Sequence, residues 1–116
     1  MTKEITVGGK QITFTSNGAT PLFYARFFHK DLMKQMSANG DELQLATENI
    51  PELAFIMAKQ ADKADMAHLT DDMYIEWLSL FNPLDIAVKG QEIFMVYIAD
   101  SMSSVEPKKK AGKQTA

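Results

Sequence analysis

The hydrophobic period changes once along this chain, near residue 16. Before that point Ile5 and Val7 alternate around Thr6, and Ile12 and Phe14 alternate around Thr13. A period of two is what a half-buried strand imposes. Gly8-Gly9 stands between the two runs, and a glycine pair accepts the positive φ angles of a tight turn, so 4–15 is predicted to be a β-hairpin. Beyond residue 16 the apolar side chains recur at helical spacing. A lone hairpin is marginal in water, so its apolar face must pack on those helices or pair with another chain.

Four helical stretches follow from the spacing. Ser16–Ala19 reads as a turn, and Thr20-Pro21 as an N-cap followed by the first helical residue, where proline's missing N–H costs nothing. The first helix is predicted over about 21–38, stopped by Asn39-Gly40. Residues 41–50 are polar and mixed, with Leu43 and Leu45 suggesting a short strand or an extended linker. Pro51 is read as the start of a helix over 51–66. This helix is apolar nearly all round in its middle and so belongs at the centre of the fold. Thr70 caps a third helix, 71–82, with Asp71 and Asp72 suited to its dipole, Leu69 and Tyr74 placed as a staple, and Tyr74, Trp77, Leu78 and Phe81 as its stripe. The last helix spans about 83–103, with Gly90 as its weak point and Ile86, Ile93, Phe94, Tyr97 and Ile98 as its buried face. The expected class is α+β, mostly α: one domain over 1–106, a size sufficient to bury a core, and a lysine-rich tail over 107–116 without periodicity, expected to be disordered.

Composition excludes several functions. Cysteine is absent, which removes a disulfide scaffold, a thiolate metal site and a cysteine nucleophile. The N-terminal stretch carries no apolar signal-type segment, and the longest apolar run, 93–99, is far short of a membrane span, so no membrane partner is expected. Residues 1–106 carry eight basic and fifteen acidic side chains, a net charge of −7, while Lys108, Lys109, Lys110 and Lys113 give the tail +4. Phosphate contacts need a basic face, so an acidic body argues against nucleic-acid binding. The four lysines read most simply as a solubility feature.

No catalytic, cofactor or metal set emerges. His29 has no partner base or nucleophile at a helical spacing. Asp62, Asp65 and His68 share a broad face if helical and could hold a transition metal, but the segment is polar and has no apolar enclosure, so a solvated linker is the simpler reading. Gly8-Gly9 lacks the strand-to-helix context of a phosphate loop. The chain is therefore not expected to be an enzyme and is expected to need no cofactor. What stands out is apolar surface. Phe23, Phe27 and Phe28 crowd one stretch of the first helix, and the chain has eight methionines, whose flexible side chains adapt to varied partners. Core filling accounts for most of these. The binding alternative is an exposed stripe of Phe23, Phe27, Met33 and Met36 with Arg26 and Lys30 beside it, for which Phe27→Asp would abolish binding and leave the fold intact.

The order of segments resembles the tail assembly chaperones of long-tailed bacteriophages and prophages of Gram-positive hosts. The hairpin EITVGGKQITF at 4–14 is followed by TPLFYARFFHKDLMKQM at 20–36, ELAFIMAKQAD at 52–62, IEWLSLFNPLDI at 75–86 and a lysine-rich end, so the resemblance covers nearly the whole chain. It implies a factor of the host bacterial cytoplasm that binds the tape measure protein, keeps it soluble while the tail tube assembles, and is absent from the mature virion. It also implies a longer form, made by a ribosomal frameshift, that contacts the tail tube protein. Lys108-Lys109-Lys110, near the end of this chain, can be encoded by the adenine run that such slippage needs. An apolar groove between helices suits capture of a long amphipathic client, and many weak copies on one client gain by avidity. The alternative is a small structural tail or head-completion component retained in the particle, whose hairpin would pair edge to edge with neighbours. Proteomics of purified particles separates the two. Self-association, as a ring or array, is compatible with either.

Overall fold

A computed structural model of the chain describes residues 1–37 and 44–105. The expected helix stop at Asn39-Gly40, Leu43 and the tail over 107–116 lie outside the described residues. Two strands open the fold, β1 (Thr2–Val7) and β2 (Lys10–Thr15), paired antiparallel with Ile5 opposite Ile12 and Val7 opposite Lys10. Gly8 and Gly9 join them at φ 56° and 81°, the two positive values that a two-residue hairpin turn demands. The inner face carries Ile5, Val7 and Phe14, all buried. The outer face is polar: Thr2 Oγ1 and Thr15 Oγ1 lie 3.0 Å apart, and Thr6 Oγ1 donates to Gln11 Oε1 at 2.8 Å.

Six α-helices follow among the described residues: α1 (Thr20–Phe28), α2 (Leu32–Ser37), α3 (Ile50–Ala61), α4 (Asp71–Leu78), α5 (Asp85–Val88) and α6 (Gly90–Val105). The α+β, mostly α class is what the periodicity predicts. The central place of the apolar helix also holds: Ile50 to Ala58 of α3 are buried without interruption, and α3 packs against β2, α1, α4, α5 and α6. The hairpin is thus a lid on the central helix, which answers how its apolar face is covered.

Four boundaries differ from the sequence reading. The helix expected over 51–66 ends at Ala61, and a separate 3₁₀ turn, Met66–His68, follows. The helix expected over 21–38 is two helices. His29 takes the left-handed conformation at φ 57°, and its N–H closes the last turn of α1 onto the Ala25 carbonyl at 2.9 Å. Asp31 then starts α2 by accepting from the Lys34 N–H at 3.1 Å. The segment before Pro51 is helical, neither strand nor linker: Leu45–Asn49 forms a π-helix running directly into α3, with the Ile50 N–H bonded to the Leu45 carbonyl. Proline cannot donate to the carbonyl four residues back, and its ring crowds that carbonyl. Widening the turn ahead of Pro51 removes the conflict and keeps the helix continuous. The predicted 71–82 helix is shorter and the 83–103 helix is divided: α4 stops at Leu78, a turn carries Pro83, the chain breaks again between α5 and α6 at Lys89, beside the weak Gly90, and α6 runs on to Val105.

Caps fix the rest. Thr70 Oγ1 accepts from the Met73 N–H at 3.2 Å, with Asp71 and Asp72 in the first turn, as the sequence indicates. Thr20 is helical and does not cap α1. Its hydroxyl donates to Gln60 Oε1 at 2.7 Å and, with Asn17, ties the start of α1 to the end of α3.

Candidate functional site

The structure divides the predicted first-helix set. Phe23, Phe27 and Met36 are half-buried and pack against the core. The Phe27 ring lies 5.6 Å from Phe55, 4.8 Å from Phe28 and 6.4 Å from Tyr74, so Phe27→Asp would press a carboxylate among aromatic rings. The expectation that this substitution spares the fold is corrected on that ground. Phe27 and Phe28 point 100° apart by helix geometry, yet both reach Tyr74, because α4 lies across the end of α1. Arg26 is exposed. Met33 is 65% exposed and, with Leu22 and Lys30, lines an open hollow where α1 meets α2. The continuous stripe therefore does not form, since the left-handed turn at His29 separates its two halves.

Lys30 is bound to the protein's own carboxylates. Its Nζ donates to Glu48 Oε2 at 2.6 Å and to Glu52 Oε2 at 2.9 Å. Burial works against the Lys30 charge, but the hydrogen bonds from Glu48 and Glu52 outweigh it and hold the ammonium above its ordinary pKa. Glu52 is buried. Its second oxygen accepts from the Tyr24 hydroxyl at 2.6 Å and, more weakly, from Asn49 Nδ2 at 3.4 Å. Burial and then the bond to Glu52 push the Tyr24 phenol far above its usual range. This is a structural lock joining α1, the π-helix and α3.

The hollow where α1 meets α2 measures about 550 Å³, and further open apolar surface lies on a side that periodicity alone assigns to the core. A groove of about 390 Å³ runs between the π-helix and α4–α5, lined by Pro51, Tyr74, Ile75, Leu78, Phe81 and Ile86 among others. A second groove of about 350 Å³, between the π-helix and the start of α6, includes Leu45, Ile50, Gly90 and Phe94. Ala46 and Ala87 line both, so the two adjoin as a two-part trough. Ile75 in its wall is 60% exposed, and Leu84 and Val88, next in sequence to the lining residues Pro83 and Ala87, are 65% and 76% exposed. Among the described residues, five of the eight large apolar side chains that are exposed (Ile75, Leu80, Leu84, Val88 and Met95) fall in the 75–95 segment. The signal available in the sequence was Ile75, Leu84 and Val88 falling outside the buried faces of their own helices.

His68 Nδ1 and Asp65 Oδ2 sit 2.6 Å apart on the surface, and the His68 bond, with help from the Ala67 N–H, holds the Asp65 carboxyl below its usual range against an opposing effect of desolvation. Asp65 also caps the short 3₁₀ turn Met66–His68. Among the described residues no three His, Asp or Glu side chains are grouped to hold a metal, and no helix is long and apolar enough to cross a membrane. Comparison with protein-family models, with curated proteins and with solved structures finds no match to this chain.

Proposed function

We propose that this chain is a tail assembly chaperone that holds the tape measure protein soluble while the phage tail tube forms. The observation that carries the reading is the trough along α4, α5 and the π-helix, with Ile75 open in its wall and Leu84 and Val88 open next in sequence to its lining residues. A tape measure protein is a long helical chain whose apolar stripes have few places to be buried. A trough walled by helices accepts such a stripe in the helix-in-groove manner. Apolar burial contributes roughly 25 cal/mol per Å², and ordering both partners opposes it, so each contact is weak and many copies along one client are needed. The order of segments resembling the chaperone family supports the same reading from the sequence side.

Co-expression tests it. The tape measure protein of the same genome should be largely insoluble alone and soluble with this chain, and the two should co-purify. A tape measure protein equally insoluble with and without the chain would contradict the proposal.

A further inference from the structure

The trough has a charge as well as a shape. Residues 69–98 contain Asp71, Asp72, Glu76, Asp85 and Glu92 against a single cation, Lys89, and carry a net charge of −4. Asp71 and Asp72 lie one helical turn before Tyr74 and Ile75, and Glu76 one turn before Ser79, so all three edge the part of α4 that faces the groove. All three are exposed. Lys89 is 3.3 Å from Glu92, which leaves the acidic excess at the α4 end.

From this we infer that the trough is built for an amphipathic helix whose apolar stripe is flanked by lysine or arginine. The inference rests on the chaperone reading and adds which client segments are held. Two other occupants fit less well. A second copy would bring its own −4 face against this one, and like charges across an interface are repelled. The tail over 107–116 supplies four lysines, but its only side chains that could enter an apolar groove are Pro107, Ala111 and Ala116. It matches the charge and not the shape. A basic amphipathic helix satisfies both: its stripe fills the groove, and its flanking cations meet Asp71, Asp72 and Glu76.

Two labelled peptides of about 18 residues, long enough to form a helix on contact, would be titrated with the full chain and followed by fluorescence anisotropy. They share one leucine stripe at helical spacing and differ only in having lysine or glutamate beside it. The lysine peptide should bind at least about tenfold more tightly at low salt, and the preference should shrink to about twofold in 1 M salt. Asp71→Asn with Glu76→Gln should remove most of the preference. Val88→Asp, at an open position, should weaken both peptides with unchanged circular dichroism. Equal binding of the two peptides, preference for glutamate, or no binding would overturn the inference. So would a lysine peptide that binds more than about tenfold tighter when Lys108, Lys109, Lys110 and Lys113 are all changed to Ser, since the tail would then be the occupant. If the peptides fail while co-expression still keeps the tape measure protein soluble, the inference falls and the chaperone reading stands.

Discussion

Glu52 is a carboxylate in a place where carboxylates rarely sit. It is buried on the central helix, and three neighbours, Tyr24, Lys30 and Asn49, occupy its oxygens. Removing one partner of such a group leaves the remaining charge uncompensated. Lys30→Met is therefore expected to lower stability by about 2 kcal/mol, less than for a fully buried pair because Lys30 remains partly exposed. Urea unfolding measures this, and Lys30→Met with Glu52→Leu should cost less than the sum of the singles. Folding raises the pKa of Lys30, Tyr24 and Tyr74. A group raised on folding stabilises fully below its unfolded pKa and loses that contribution as pH climbs toward the folded value. The unfolding midpoint should thus hold steady to about pH 9 and fall above about pH 10, with Tyr24→Phe weakening the drop. Lys63 offers a contrasting case. The N–H groups of Lys63 and Ala64 bond to the Gln60 and Lys59 carbonyls, and Lys63 sits at φ 57°, where glycine is usual. Lys63→Gly should raise stability by about 1 kcal/mol, read from the same unfolding curves. Thr70 was legible as a cap because its chemistry is local. Lys63 was not, because a lysine gives no sign of a left-handed backbone, and Glu52 was not, because its partners come from 22 and 28 residues away.

At the scale of elements, the hairpin turn is tied to a helix far along the chain. A Cβ on Gly8 would run into the Asp85 carboxylate at the start of α5, whereas one on Gly9 would meet nothing within 4 Å. Asp85 is itself held, accepting from the Asn82 N–H at 2.8 Å. Both glycines have positive φ, so both alanine variants carry backbone strain of about 1 kcal/mol, and Gly8→Ala should cost about 1–3 kcal/mol more for the clash. Thermal or urea unfolding of the pair tests this, and Asp85→Ala should rescue Gly8→Ala in part. The hairpin itself was legible from alternation and the glycine pair. The break at His29 was harder: Phe27, Phe28, Leu32 and Met36 keep helical spacing across it, and the only local hint was Asp31, a good N-cap residue inside the run. The π-helix ahead of Pro51 left no readable pattern. Proline most often marks a helix start, and the continuity of helix through it depends on the contacts that hold the π-turn, including Asn49 Nδ2 to Gln35 Oε1 at 3.0 Å.

For the molecule as a whole, the arrangement separates two apolar systems. One is the core, where the hairpin and α1 close over α3 and a run of rings passes from Phe27 through Phe55 and Trp77 to Phe81. The other is the open trough, which exists only once the π-helix, α4 and α5 are assembled. This is why the trough is not among the surfaces that the sequence offers. Phe23 and Phe27 are conspicuous by type, and both pack against the core, Phe27 among Phe28, Phe55 and Tyr74. Ile75 and Val88 look like ordinary helix residues, and only tertiary packing leaves them bare. On the proposed function the client lies on the α4–α5 side. Amide hydrogen exchange of the chain, alone and in complex with the tape measure protein, tests that placement most directly. Protection gained along residues 45–51 and 71–94, with little change over the hairpin and over 20–36, is the predicted result. Protection confined to the first helices or to the hairpin edge would contradict it.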